Sequence, residues 1–184
     1  MSTWAERPTI AGFDVLEAED LDAIMDQIDL TSSPVAVLGA NHAGVGNTTL
    51  ATTTLARTVR ASQSVLVDCM AYYCAPASGD IKFGFSVPSG ASLIRGFLMS
   101  HPSSTDADAG DMYMKTDTSF TGLSAPGRTS LTDIMWCRVV AVYSVGVTAG
   151  SIALQYARAS GTGTASDTQL KAGSTMRVTP CEVV

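Results

Sequence analysis

In residues 80–90 the apolar and polar positions alternate without a break: Ile81, Phe83, Phe85 and Val87 fall on one side of an extended chain, Lys82, Gly84 and Ser86 on the other. Strict alternation over seven residues predicts a half-buried strand, and Pro88, Ser89 and Gly90 stop it. Both phenylalanines are expected in the core and Lys82 in solvent. Residues 64–75 alternate in the same way, with Val65, Val67, Cys69, Ala71 and Tyr73 on one face and Leu66, Asp68, Met70 and Tyr72 on the other. Only residues 76–79 separate the two segments, so they are expected to pair as antiparallel neighbours.

The pattern stays β to the end of the chain. Residues 91–100 form an apolar strand, 112–123 alternate more weakly, and 124–129 read as a turn. Residues 133–146 are apolar on both faces, with Met135, Cys137, Val139, Ala141 and Tyr143 set against Trp136, Val140 and Val142. A strand of that kind is covered twice, once by the opposite sheet and once by a helix or another subunit. Residues 150–159 turn Ile152, Leu154 and Tyr156 inward, and 174–184 close the chain. At least eight short strands separated by Gly- and Ser-rich turns make the fold mainly β, and the expected form is a jelly-roll β-sandwich.

The front of the chain differs. Residues 2–14 have no period of either kind, and Trp4, Ile10 and Phe13 are isolated apolar residues in an arm. From Glu17 to Asp29 the residues Leu21, Ile24, Met25 and Ile28 recur at helical spacing behind an acidic first turn, which predicts one short amphipathic helix. A helix of about 12 residues is marginal alone in water. The expected organisation is therefore an N-terminal docking arm and helix over 1–34 and a sandwich domain over 35–184. Charge separates the same two parts: residues 1–30 hold Glu6, Asp14, Glu17, Glu19, Asp20, Asp22, Asp26 and Asp29 against Arg7, so this segment carries −7 of a total of −6 and the rest +1. Trp4, Ile10, Phe13, Leu21, Ile24 and Ile28 are the candidate docking residues, and their partner surface should be locally basic.

Candidate chemistry changes the picture little. Laying the phosphate-loop pattern on residues 41–48 puts Asn41 at the first glycine and Asn47 at the lysine, leaving only Gly46 and Thr48 in agreement. Without that lysine a degenerate P-loop ATPase is a remote alternative, and the Thr-rich run after it suits a strand better than a helix. Cys69, Cys74, Cys137 and Cys181 lack metal-ligand spacing and read as buried free thiols. Asp106, Asp108, Gly110, Asp111 and Asp117 imitate a calcium loop loosely, but Asp111 stands where glycine is required. Neither His42 nor His101 sits in a triad-like setting. Tyr72, Tyr73, Trp136 and Tyr143 are read as core or interface aromatics rather than a sugar platform. No catalytic residue, metal ligand or cofactor is assigned, so the expected protein is not an enzyme. The chain has no basic stripe for nucleic acid, no apolar run long enough to span a membrane, and an N-terminus unlike an export signal. It is expected to be made in the cytoplasm.

Three stretches together carry a family resemblance: VGNTTLATTTL from Val45, SVLVDCMAYYCAPASGDIKFGFSVPSGA from Ser64, and VVAVYSVGVTAGSIALQYARASGTGTASDTQLKAGSTMRV from Val139. Within them Asp80, Ile81, Lys82, Phe85, Val87, Pro88 and Gly90 match one strand pattern, and Ala172, Gly173, Ser174, Arg177 and Val178 another. The chain from about residue 47 to 177 resembles the jelly-roll modules, similar in shape to tumour necrosis factor and C1q heads, of virion appendages in actinobacterial tailed phages. The segment GFDVLEAEDLDAIMDQID is similar to the opening of many phage fibre and tail proteins, with Asp22 in place of their usual Asn. The resemblance implies a non-enzymatic homotrimer on the virion surface, a head decoration or head fibre protein docked through residues 1–30 on the major capsid or another virion protein. A tail-associated module (a minor tail or fibre protein) that binds a receptor or host surface glycan is the alternative. It also assigns the surplus apolar residues Trp136, Val140 and Val142 to the trimer interface.

Overall fold

A computed structural model describes residues 34–100, 113–118, 123–128, 133–164 and 167–182. The chain divides into two units, Met1–Ser32 and Ser33–Val184, and the fold described below is that of the second. The expected N-terminal arm and helix, the acidic loop around Asp106 and His101 lie outside the described residues.

Eleven strands are described: β1 Ala36–Val37, β2 Ala51–Val59, β3 Ser64–Cys74, β4 Ile81–Ser86, β5 Ser92–Ser100, β6 Tyr113–Asp117, β7 Ser124–Ala125, β8 Met135–Ser144, β9 Gly150–Arg158, β10 Gln169–Leu170 and β11 Thr175–Cys181. They make two antiparallel sheets, ordered β1-β11-β3-β8-β5-β6 and β2-β9-β4-β7, with β10 set against the end of β3. The pairing is nested. β1 pairs β11, β2 pairs β9, β3 pairs β8 and β4 pairs β7, alternating between the sheets as the chain folds back on itself. That is a jelly-roll order, with the β5–β6 hairpin added on the free edge of β8.

The inner faces follow the alternation read from the sequence. Val65, Val67, Cys69, Ala71 and Tyr73 of β3 and Met135, Cys137, Val139, Ala141 and Tyr143 of β8 are buried, and they share one apolar core with Leu55, Ile81, Phe83, Ile152, Leu154 and Tyr156 of the smaller sheet. Tyr73 and Phe83 meet edge to face across the sandwich with ring centres 6.0 Å apart. The Thr-rich run after residue 47 is indeed a strand, β2. Its register with β9 shifts between Thr52 and Ala56, and the Thr53 hydroxyl fills the gap: it donates to the Leu154 carbonyl at 2.9 Å and accepts the Leu55 amide at 3.1 Å. A β-branched residue with a hydroxyl thus keeps the bulge's backbone groups satisfied.

Several expectations need correction. β3 and β4 are not neighbours: β3 lies between β11 and β8 in one sheet, β4 between β9 and β7 in the other. The loop at residues 75–80 turns the corner of the sandwich, with Asp80 in the left-handed region (φ 48°) and its carboxylate accepting the Gly127 amide at 2.8 Å. The segment 124–129 contains β7, whose two residues pair Ile81 and Lys82. Phe83 is fully buried, whereas Phe85, nearer the end of β4, is half-buried and packs edge-on against Tyr143 with ring centres 6.0 Å apart. Lys82 is half-buried rather than free in solvent, because its stem lies between Ala157 of β9 and Ser124 of β7. Of the four thiols, Cys69, Cys74 and Cys137 are buried and Cys181, near the chain end, is half-buried.

The two phenylalanines should therefore separate in stability. Phe83→Ala is expected to cost about 3–5 kcal/mol and Phe85→Ala about 1–2 kcal/mol, measured by denaturant unfolding. Losses under about 1 kcal/mol at both positions would mean that β4 is set with the wrong face inward.

Candidate functional site

The larger sheet has a second, outward face. Residues paired in register share a side, so the pairs Tyr72 with Trp136, Met70 with Arg138, Asp68 with Val140 and Leu66 with Val142 place all of these side chains on the surface opposite the core. β5 extends the same rows with Arg95 beside Val142, Phe97 beside Val140 and Met99 beside Arg138, and β11 adds Thr175, Arg177 and Thr179. At the margins Val37 and Met114 are 61% and 65% exposed. Trp136, Val140 and Val142, the expected interface residues, are all half-buried on this face and are brought together by it. A continuous outward face of this breadth built from Leu, Val, Met, Phe, Tyr and Trp is more apolar than a solvated sheet face.

β8 is nevertheless not apolar on both faces throughout. Arg138 reaches diagonally to Asp68 of β3 and binds its carboxylate with both Nε and Nη2, at 2.8 and 2.6 Å. The hydrogen bond and the charge of Asp68 raise the Arg138 guanidinium above its ordinary pKa. The side chains remain 44% and 34% exposed, so the pair is solvated in the single chain. A shallow depression lined by Val35, Asp68, Met70, Arg138, Thr175 and Arg177 surrounds it. This pair went unread in the sequence, although one signal was present: Asp68 and Arg138 are single charges in long apolar strands, both in the outward phase.

The aromatic residues divide between the faces. Tyr73 and Tyr143 are core residues, while Tyr72 and Trp136 stand opposite each other outside. Burial pushes the phenols of Tyr73 and Tyr143 and the thiols of Cys69 and Cys137 well above their ordinary pKa values, and raises Tyr156 to about 12. None of these groups is therefore ionised near neutral pH, and none is poised as a nucleophile or base. Among the described residues no group of three or more His, Cys, Asp or Glu is placed to hold a metal ion.

The phosphate-loop pattern has no counterpart in the geometry. The Asn41 side chain accepts the Ala172 amide at 3.0 Å, the Asn47 side chain accepts the Thr49 amide at 2.9 Å, and the amides of His42 and Val45 are spent on the carbonyls of Leu170 and Thr168. Two of the amides that would have to face a phosphate are thus engaged elsewhere, and a strand follows where a helix is needed.

At the end of the sandwich that holds this segment, Arg158 is 5% exposed and ties the loops together. Its guanidinium donates to the Ser160 carbonyl (2.8 Å), Asp167 (3.3 Å) and the Ser78 hydroxyl (3.3 Å). A Cβ at Gly79 or Gly163 would lie 2.3 or 2.4 Å from guanidinium atoms, so both positions must be glycine for the arginine to enter. Asp167 also receives the Thr164 hydroxyl and amide, which with Arg158 hold its carboxyl below the ordinary value. The arrangement organises loops and offers no reactive group.

No family model matches the chain, and no curated protein matches it. A solved structure, the tripod (BppUct-A-L) from the baseplate of bacteriophage Tuc2009, is similar over 97% of this chain and 78% of that one, with a TM-score of 0.37 and 18% identity, a level at which the likeness carries no argument about function.

The Asp68–Arg138 pair gives this face a testable signature. In the single chain it is solvated, so a double-mutant cycle with Asp68→Asn and Arg138→Gln should return a coupling of under about 1 kcal/mol in unfolding experiments.

Proposed function

We propose that this chain is a structural protein of a tailed-phage virion, a trimeric head decoration or head fibre protein in which the outer face of the larger sheet joins the copies and residues 1–30 dock on the major capsid or another virion protein. The observation that supports the reading best is the outer face itself: a nested jelly roll whose larger sheet carries Leu66, Met70, Trp136, Val140, Val142, Phe97 and Met99 outward. Burying such side chains between copies is worth about 25 cal/mol per Å² of apolar surface removed from water, a gain that a single chain does not collect. Residues 1–30 supply the complementary feature, a strongly acidic segment with Trp4, Ile10, Phe13, Leu21, Ile24 and Ile28 as apolar anchors.

The tail-associated alternative, a module that binds a host surface glycan, would use Tyr72 and Trp136 as its stacking pair. The two readings compete for the same surface. Immunogold labelling of whole particles is expected to mark heads. Labelling confined to tails would replace the head reading by the alternative.

Two variants test the division of labour. Val140→Asp, which puts a charge into the centre of the outer face, should convert trimers to monomers or aggregates in light scattering at micromolar concentration. Deleting residues 1–30 should leave a folded trimer that no longer joins particles, and attachment of the full chain should weaken with added salt. A truncated protein that still decorates particles at full occupancy would move the docking surface elsewhere.

A further inference from the structure

The outer face of the larger sheet is basic within an acidic chain. Its register positions hold three arginines, Arg95, Arg138 and Arg177, and among the described carboxylates only Asp68. Arg138 takes both oxygens of Asp68. Arg95 and Arg177 are exposed and, among the described residues, make no ion pair. Arg95 lies beside Val142 and Arg177 beside Asp68, on strands separated by β3 and β8, so about 14 Å of sheet lies between them and no single carboxylate can serve both. Covering the face strands two guanidinium charges unless the covering surface brings acceptors for both. A second copy of the same face brings none: three arginines would meet three more, with each Asp68 already taken.

We infer that the neighbouring copy covers this face with a different surface of its own, an acidic one, whose carboxylates pair with Arg95 and Arg177 around apolar contacts to Met70, Val140 and Phe97. This rests on the self-association proposed above and adds which kinds of surface meet. The chain can supply the acid: this face carries +2 in a chain of −6, so −8 falls on everything else. A contact between unlike surfaces is heterologous, so each copy gives one surface and receives the other, and the contact closes into a ring when the rotation allows it. The like-on-like pairing that would make a twofold dimer is disfavoured by the same charges. Apolar side chains alone tolerate sliding and alternative orientations, whereas two widely spaced arginines that must each find a carboxylate admit few.

Analytical ultracentrifugation of three full-length proteins tests the inference: the unmutated chain, Val140→Asp, and the double variant Arg95→Gln with Arg177→Gln. The sign of the change decides. Removing the two charges should weaken association at least about tenfold and flatten its dependence on added salt, with circular dichroism and thermal midpoint unchanged. Tighter association, the relief of like charge, would show that two copies of the same face meet, and unchanged association would put the arginines outside the contact; either result overturns the acidic partner surface. A tagged unmutated chain should also capture untagged Val140→Asp, whose other surface is intact, although Val140→Asp does not capture itself. Loss of that capture overturns the contact between unlike surfaces. A monomeric unmutated chain overturns the self-association reading itself, and this inference with it.

Discussion

Everything in the sandwich domain hangs on the β3–β8 pair. Ten residues of each strand are in register, Ser64 with Ser144 through Tyr73 with Met135, and the two strands sit at the centre of the larger sheet. Their inner faces supply the larger sheet's share of the core, with small and medium side chains such as Ala71, Cys69, Val67, Cys137 and Ala141 leaving room for Phe83, Leu154 and Tyr156 from the other sheet. Because side chains alternate with period two, fixing the inner set fixes the outer one as well. The apolar outer face is thus a property of the same register that closes the core, and a one-residue slip would expose the core and bury Asp68 and Arg138.

What the sequence made legible was what a single strand can report. β3, β8 and β9 are long, so the two faces of each were readable from its phase, as was the strand character of the Thr-rich β2. Partnership between strands was less readable. A short link such as residues 75–80 serves equally for a hairpin within one sheet and for a corner between two, and only the nonlocal pairing of β3 with β8 and of β4 with β9 decides which. β7 is two residues long and has no periodicity to detect. Phe85 shares the phase of Phe83 but stands nearer the end of its strand, where the core thins, and periodicity carries no information about that.

Charged residues inside apolar strands were the other blind spot. Arg138 was passed over because its strand is rich in valine, although its phase points outward toward Asp68 on the neighbouring strand. Arg158 continues the inward phase of Ile152, Leu154 and Tyr156, and that phase, with Asp167 nine residues on, was a readable sign of a buried arginine held by a half-buried carboxylate. In both cases the useful signal was a single charge whose phase conflicts with its surroundings. At Arg158 the conflict is resolved within the chain by Asp167, Ser78 and a carbonyl. On the outer face Arg95 and Arg177 are both exposed and, among the described residues, make no ion pair.

The most direct test of the account is hydroxyl-radical footprinting of the full-length protein at micromolar concentration, read at Met70, Met99 and Trp136 and compared with Val140→Asp. An outer face covered by neighbouring copies predicts that all three side chains are protected in the unmutated protein and become reactive in the variant, with Met135 and Met176 of the core unreactive in both. Equal, strong labelling of Met70, Met99 and Trp136 in the two proteins would show that the face is open to solvent and would contradict the account.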